Sequence, residues 1–147
     1  MEIDAIRIEA VKVEEIVDLR HRVLRAGLPR DAAIFPGDKD AGTVHIAARD
    51  GEKIVGCATV LVNRWEGKPA CQVRGMAVDP ACQGRGIGMR LLAEVERIAL
   101  GQGIHLIWAN ARTPASHFYF QNGWEVVSEM FEIPTAGPHY KMVRKLG

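Results

Sequence analysis

The feature that most constrains the fold of this chain is the run Gln83-Gly84-Arg85-Gly86-Ile87-Gly88, which separates a strand-like segment from a helix-like segment. Residues 71–78 before it are mostly apolar, and apolar residues at helical spacing follow it up to Leu100. A strand, a glycine turn and a helix in this order direct backbone N–H groups at an anion, because a helix N-terminus has unpaired donors and glycine permits a close approach. The run therefore predicts a pocket for a phosphorylated ligand.

Two known classes of phosphate-binding glycine turn require further residues at fixed positions. The residues around this turn match neither class. A Walker loop requires a Lys-Ser or Lys-Thr pair after its second glycine, and this chain has no such pair. A dinucleotide fingerprint requires a third glycine where Met89 stands, and the preceding residues are typical of an antiparallel meander. The pattern that remains is Gln-x-x-Gly-x-Gly opening a helix. The glycine spacing alone is also compatible with a tight turn that binds no ligand and only allows the helix to pack closely.

Composition excludes several classes of protein. The chain has 147 residues, enough for one domain with a core, of which 48% are hydrophobic and 25% charged, with a net charge of +1. This balance provides no basic field for nucleic acid and no polybasic tract for a membrane surface. No run reaches the roughly 18 apolar residues of a membrane span, and the first ten residues do not resemble a signal peptide. The cysteines and histidines do not stand at metal-ligand spacing, which predicts free thiols, a cytoplasmic location and no metal.

The periodicity along the chain predicts a single mixed α/β (α+β) domain over residues 1–147. Ile6 and Ile8 alternate with charged residues as in a strand, and residues 13–24 have helical spacing. The dipeptide Asp50-Gly51 predicts a hairpin. The remaining predictions are strands at residues 70–78 and 104–109, a helix from Thr113-Pro114 to Asn122, and final strands at residues 124–133 and 140–146.

Two segments carry a resemblance to a known family. Residues 74–92, which include the glycine turn, resemble the signature of the GNAT superfamily of acyl-CoA-dependent N-acetyltransferases. Residues 110–124 are similar to that superfamily's C-terminal motif Ala-x-x-Phe-Tyr-x-x-x-Gly-Phe, and residues 131–142 resemble a tail common in bacterial members. The two motifs have the expected order and separation, and the predicted elements agree over nearly the whole chain. The resemblance names a superfamily and no substrate.

The resemblance implies a splayed, mostly antiparallel mixed sheet of about seven strands flanked by about four helices. It also implies that acetyl-CoA or coenzyme A binds between the strand ending at Val78 and the strand of residues 104–109. The pantetheine amides would pair with a free strand edge, and the pyrophosphate would bind the N–H groups of the glycine turn. The residues that the resemblance assigns to the cofactor are Met76, Ala77, Val78, Gln83, Gly84, Arg85, Gly86, Ile87, Gly88, Met89, Asn110 and Tyr119.

Tyr119 is the main catalytic candidate that the resemblance implies. In the superfamily, the tyrosine of this Phe-Tyr pair often points its hydroxyl at the thioester sulfur and can protonate the departing thiolate. The alternative is an aromatic side chain that only packs in a helix. Asn110 is expected at a strand end facing the cofactor arm, or as a simple strand terminator. The N–H of Met76 or Val78 is an expected donor to the oxyanion.

The general base is less constrained by the sequence. Some members place a glutamate on the strand before the glycine turn, but residues 67–78 contain no carboxylate. Glu132 and His139 are candidates because they stand on the final strand pair, which usually walls the acceptor site. His45, Asp38 and Asp40 are weaker candidates, and a chain of waters is a further alternative.

Arg20 stands in the apolar stripe of the first predicted helix, between Val17 and Val23. One interpretation is that its stem packs along the stripe while the guanidinium reaches solvent. The other is that it holds an acidic group of the acceptor. We favour the first on the sequence alone.

Taken with the resemblance, the sequence predicts an enzyme that moves an acetyl group from acetyl-CoA directly to a primary amine of a small molecule or peptide. Two alternatives stay open: a non-catalytic acyl-CoA-binding sensor or regulatory domain of the same fold, and a nucleotide or phosphosugar binder. No nucleic acid or membrane partner is expected. Dimers that form through the last strands are frequent in the superfamily, so a homodimer is a further alternative to a monomer.

Overall fold

An open sheet with helices on both faces organises the computed structural model, which describes residues 5–147. Three α-helices are present in this part of the chain: α1 (Val13–Leu24), α2 (Ile87–Gly101) and α3 (Ser116–Gln121). The strands are β1 (Ile6–Val11), β2 (Val44–Asp50), β3 (Lys53–Val62), β4 (Cys71–Val78), β5 (Leu106–Arg112), β6 (Glu125–Val126), β7 (Phe131–Ile133) and β8 (Gly137–Lys145). Their order across the sheet is β1-β2-β3-β4-β5-β8-β6, with β7 paired to β8.

The predicted fold class is confirmed, because the sheet is mixed and mostly antiparallel. β4 and β5 form its parallel pair, and β2 and β3 form the hairpin predicted from Asp50-Gly51. The expectation of about four helices was slightly too high. Residues Arg30–Ala33 and Thr113–Ala115 form 3₁₀ turns, and α3 begins only at Ser116. A single strand over residues 124–133 was also wrong. There the Ser128 hydroxyl accepts the hydrogen bond of the Lys141 N–H at 2.8 Å, so a side chain interrupts the backbone ladder between β6 and β7.

The helices cover opposite faces of the sheet. The buried side of α1, including Ile16 and Val17, packs with Ala47, Cys57 and Ala77 on one face. On the other face α2 and α3 share a second core with strand residues of β2 to β5 and β8. A ligand that passes between two strands of this sheet therefore meets α1 on one side and α2 with α3 on the other. Within residues 5–147 no helix has the length and apolarity needed to cross a membrane.

The sheet opens between β4 and β5. These strands pair only at Cys71↔Ile107 and Gln72↔Trp108, and beyond this point β4 is bonded on its β3 side alone. A register shift in the β3–β4 ladder coincides with Gly75, whose φ of +63° lies in the left-handed region that glycine tolerates. The second half of β4 therefore presents a free backbone edge to a V-shaped opening.

Both interpretations of Arg20 that the sequence offered, a solvent-reaching guanidinium and an acceptor-binding one, differ from the structure. Its side chain is 0% exposed, so its guanidinium does not reach solvent. It donates to Asp38 at 2.7 and 3.1 Å, to Thr59 Oγ1 at 2.7 Å and to the Ala33 carbonyl at 3.1 Å. A buried guanidinium with these partners holds the segment after α1 against β3 and is not available to an acceptor.

Two of the weaker candidates for the general base, Asp38 and His45, belong to the same hydrogen-bond network. Asp38 is buried against Arg20 and accepts from the Phe35 N–H at 2.6 Å. His45 Nε2 donates to the Asp38 carbonyl at 2.7 Å, and its Nδ1 lies 2.8 Å from Thr59 Oγ1. Asp38 and His45 therefore have structural partners at each functional atom.

Candidate active site

A cleft of about 1070 Å³ lies at the opening between β4 and β5. Its walls include Met76 and Val78 of β4, Asn110 and Arg112 of β5, and residues from both faces of the sheet. On one side these are the first turn of α2 and the side chains of α3. On the other they are the end of α1, the segment around Phe35, and the β7–β8 hairpin. The cleft thus connects the two faces of the sheet and can admit two different ligands from opposite sides.

The glycine turn forms one end of the cleft. Gly86 is the residue before α2, with φ +83°, and Gly84 has φ +78°. A Cβ on either glycine would meet nothing within 4 Å, so the space beside the turn is open. The N–H groups of Ile87, Gly88 and Met89 have no acceptor among the described residues, as expected for the first turn of a helix. This geometry fits a phosphate or pyrophosphate anion.

The flanking residues of the turn divide into cleft and surface positions. Gln83 lines the cleft, and its Nε2 donates to the Val78 carbonyl at 3.2 Å. Ile87 is buried beneath the turn, so its contribution to an anion would be its backbone N–H. Arg85 is exposed and is not part of the cleft wall, which leaves its side chain free to reach an anion from outside.

The free edge of β4 continues from the turn toward the centre of the cleft. The Asp79 N–H donates to Val55 on β3 at 2.8 Å. Because successive N–H groups of a strand point to opposite sides, those of Val78 and Met76 face the opening, and that of Ala77 faces β3. The edge therefore offers donors to an extended, amide-containing ligand.

Tyr119 lies in the middle of the cleft wall. Its side chain is 6% exposed, and its hydroxyl lies 4.0 Å from the sulfur of Met76. Edge-on contacts with Trp124 at 5.0 Å and Phe118 at 5.4 Å between ring centroids fix the orientation of the ring. Burial raises the pKa of Tyr119 well above its ordinary value of 10.0. The phenol is therefore protonated at neutral pH and can donate a proton or a hydrogen bond.

Of the two leading base candidates, the structure brings only His139 into the cleft. His139 is buried in the wall, and its Nδ1 lies 2.7 Å from the Gly137 carbonyl. A carbonyl only accepts, so in the neutral imidazole the proton is on Nδ1 and the lone pair is on Nε2. Glu132 is exposed and does not line the cleft, because β7 directs Ile133 toward it and the alternating position away. The sequence could not distinguish the two faces of so short a strand.

Asn110 is a cleft residue whose side chain is already engaged. Its Oδ1 accepts from Lys141 Nζ at 3.1 Å, and Lys141 lies opposite it on β8. Asn110 lies on β5 where this strand diverges from β4. The bond to Lys141 limits what the amide can offer a ligand.

The α1 side of the cleft contains residues that the sequence analysis did not single out. Arg25, Phe35 and Arg112 line this side, together with Pro36 and Ala136. The signal that could have found Arg112 is its register, since it lies directly opposite His139 in the β5–β8 ladder. Arg25 and Phe35 come from the end of α1 and an irregular segment, where no periodicity predicts which side chains meet. Among residues 5–147, no group of three His, Cys, Asp or Glu side chains is arranged to hold a metal ion.

Comparison with known proteins gives a consistent result. The model of the acetyltransferase (GNAT) family matches residues 12–124. An uncharacterised N-acetyltransferase of Bacillus subtilis strain 168, YitI, is 24% identical over 147 residues, covering 96% of this chain and 97% of that protein. Two solved structures have the same fold. Escherichia coli ElaA has a TM-score of 0.79 at 20% identity, covering 95% of this chain and 99% of its own. A GNAT family acetyltransferase from Elizabethkingia anophelis, solved with acetyl-CoA bound, has a TM-score of 0.72 at 16% identity, covering 97% and 99%.

Proposed function

This chain belongs to the acetyltransferase (GNAT) family, and we propose that it transfers an acetyl group from acetyl-CoA directly to a primary amine of a small molecule or peptide. The observation that carries the proposal is a single cleft that runs through the sheet. It has the glycine turn at one end, the Tyr119 hydroxyl in its wall and His139 on the α1 side, with Nδ1 bonded to the Gly137 carbonyl. Two substrates entering from opposite faces would meet between Tyr119 and His139.

The donor would occupy the α2 side of the cleft. The N–H groups of Ile87, Gly88 and Met89 would hold the pyrophosphate, with the Arg85 guanidinium adding a charge-assisted contact. The pantetheine amides would pair with the free edge of β4 at Met76 and Val78, as a neighbouring strand would. When bound, the donor supplies a thioester carbonyl to the centre of the cleft.

The chain's own residues would then perform three tasks. His139 Nε2 accepts a proton from the ammonium group of the amine, which leaves a neutral nucleophile. The N–H of Val78 or Met76 donates to the oxygen of the attacked carbonyl as negative charge develops there. As the C–N bond forms and the C–S bond breaks, the Tyr119 hydroxyl gives its proton to the departing sulfur, and the proton that the amine nitrogen loses returns to the Tyr119 oxygen. If His139 acts as the base, His139→Gln should lower kcat by tenfold or more with unchanged coenzyme A affinity; an unchanged kcat argues against this role.

Direct transfer is supported by the state of the cysteines. Cys57, Cys71 and Cys82 are buried free thiols, as expected for a reducing compartment such as the cytoplasm. Burial raises the pKa of Cys57 to about 12, and burial also raises that of Cys71. A buried thiol is a poor nucleophile because the thiolate is the reactive form. Cys82 lies next to the glycine turn, at the part of the cleft where the pyrophosphate and not the thioester would bind.

Ligand binding and turnover together test the proposal. Thermal unfolding is measured with coenzyme A, acetyl-CoA, ATP and NAD, where a ligand at 100 times its Kd should stabilise the protein by about 2.7 kcal/mol. Stabilisation by both coenzyme A forms, followed by acetylation of members of an amine panel detected by mass spectrometry, is the expected result. Binding of acetyl-CoA with no turnover of any amine would instead indicate a sensor. A response to ATP or NAD without one to coenzyme A would contradict the proposal.

A further inference from the structure

The α1 side of the cleft is lined by arginines and lacks acidic groups. Arg25, Arg74 and Arg112 all belong to the wall, whereas no Asp or Glu of residues 5–147 does. Arginine clusters of this kind occur where an anionic group of a ligand is bound, because a guanidinium matches a carboxylate geometrically. A guanidinium can bind such a group only where no carboxylate of the protein already neutralises it.

Arg74 is largely neutralised by its surroundings. Its guanidinium lies 3.6 Å from Asp38, hydrogen-bonds the Pro36 carbonyl, and also feels the charge of Asp40. Its role is therefore mainly to hold the segment around Phe35 against β4.

Arg25 and Arg112 differ, because neither has an acidic partner among the described residues. Arg25 ends α1, donates to the Leu24 carbonyl at 3.0 Å, and lies 5.1 Å from the centre of the Phe35 ring. Burial, the charge of Arg112 and the charge of Arg20 together lower the pKa of Arg25. Arg25 is half-buried and Arg112 is exposed. Like charges that lie close together favour an anion between them.

The position of Arg112 connects this charge to the reacting centre. Arg112 and His139 are direct partners in the antiparallel β5–β8 ladder, so their side chains lie on the same face. Both line the cleft. A ligand group bound by Arg112 would therefore lie within a few bonds of an amine that faces His139.

We propose that the acceptor is an amine that also carries a carboxylate, and that Arg25 and Arg112 bind this carboxylate while the amino group faces His139. The inference rests on the acetyl-transfer function proposed above and adds the substrate class. Polycationic amines such as diamines and polyamines would be rejected, because the wall offers them like charge and no carboxylate.

Matched pairs of acceptors test the inference. Acetyl transfer is measured for alanine against alaninamide, for 4-aminobutyrate against 4-aminobutanamide, and for putrescine. The acid of at least one pair should have a kcat/KM about 10- to 100-fold above its amide, the ratio expected for a charge-assisted hydrogen bond. Arg25→Gln and Arg112→Gln should lower this ratio toward one, mainly through the KM of the acid. Arg97→Gln is the control, because Arg97 is exposed on α2, pairs with Glu94, and lies outside the cleft.

A second measurement keeps the inference testable where turnover is slow. Calorimetric binding of N-acetylalanine and of 4-acetamidobutyrate to the coenzyme A complex is compared with binding of their amides. Preferred binding of either acid, lost in Arg112→Gln, supports the inference. It is wrong if amides or putrescine react or bind as well as the acids, or if the Gln variants keep the acid preference; acetyl transfer itself would then stand. If acetyl-CoA neither binds nor reacts, the proposed function fails and the substrate class with it.

Discussion

The hydroxyl of Tyr119 on α3 lies 4.0 Å from the sulfur of Met76 on β4, at the level where β4 has lost its pairing with β5. This contact brings a protonated phenol beside the free backbone edge that faces the opening. Proton donation to a leaving group and hydrogen bonding to a carbonyl oxygen can therefore act on the same bound molecule. The arrangement depends on the divergence of two strands, because a continuous sheet would fill the space.

Replacing Tyr119 with phenylalanine tests the proton donor. The variant keeps the ring contacts with Phe118 and Trp124, so we expect the fold and the coenzyme A affinity to be unchanged. The kcat should fall by about 100-fold or more, the typical contribution of a general acid. Steady-state kinetics with acetyl-CoA and a reactive amine measure the effect.

Tyr140→Phe is the matched control, since Tyr140 lies on β8 outside the cleft and its removal deletes a similar hydroxyl. Equal effects of the two substitutions, or no effect of Tyr119→Phe, would argue that Tyr119 only packs.

Met89→Glu tests the anion-binding turn without altering a glycine of positive φ. Met89 stands in the first turn of α2, and its side chain is 55% exposed at the cleft. A carboxylate there should stabilise the helix by about 0.3–1 kcal/mol through the helix dipole, yet repel a pyrophosphate. We expect the Kd for coenzyme A, measured by calorimetry, to rise at least tenfold while the melting temperature does not fall.

Met89→Gln controls for the shape of the new side chain without its charge, and it should bind coenzyme A within a few-fold of the original protein. If Met89→Glu binds coenzyme A as tightly as Met89→Gln, the pyrophosphate is not held at this turn.

Because Arg20 and Asp38 form a buried ion pair, we expect the effects of replacing them on the unfolding free energy to be strongly non-additive. Asp38→Leu alone leaves the Arg20 guanidinium buried without its carboxylate, and Arg20→Met alone leaves Asp38 with the more distant Arg74 at 3.6 Å. Each should cost about 3–5 kcal/mol of unfolding free energy. The combined variant removes both charges and should be more stable than at least one of the single variants. Denaturant unfolding of the four proteins gives the coupling energy. Additive losses would mean that the pair does not act as a unit.

The ionisation of Asp38 should also make the stability of the protein depend on pH in acid. Burial alone would raise the pKa of Asp38, but hydrogen bonds from Arg20 and the Phe35 N–H outweigh it and lower the pKa below its ordinary value of 3.8. A lowered pKa in the folded state contributes stability that is present above pH 3.8 and is lost as the pH falls through the folded value. The unfolding free energy should therefore decline below about pH 4. Asp38→Asn should have a flatter acid dependence; an identical slope would contradict the assignment.

The fold was predictable from the sequence where local signals coincide with the tertiary structure. The Asp50-Gly51 hairpin, the helix from Val13 to Leu24 and the helix after Gly86 each carry periodicity or turn residues that the final fold retains. The short segments at the C-terminal end were harder, because one serine hydroxyl decides where the strand after Trp124 is interrupted.

The site was predictable only in part, for the same physical reason. The glycine turn and Tyr119 lie in continuous motifs. The burial of Arg20 depends on Asp38 and Thr59, which are 18 and 39 residues away along the chain. The outward direction of Glu132 depends on which face of a three-residue strand packs inward. That Arg25 and Arg112 line one cleft, with the charge of Arg112 lowering the pKa of Arg25, has no signature in the sequence, because the two residues are far apart along the chain.

The central claim is that the opening between β4 and β5 holds the thioester beside Tyr119. A crystal structure with bound acetyl-CoA measures this directly through the distance from the thioester sulfur to the Tyr119 hydroxyl oxygen. We expect a distance of about 4 Å or less, within reach of a hydrogen bond to sulfur, with the pyrophosphate on the N–H groups after Gly86. A sulfur beyond that reach, or a pyrophosphate bound elsewhere, would contradict it.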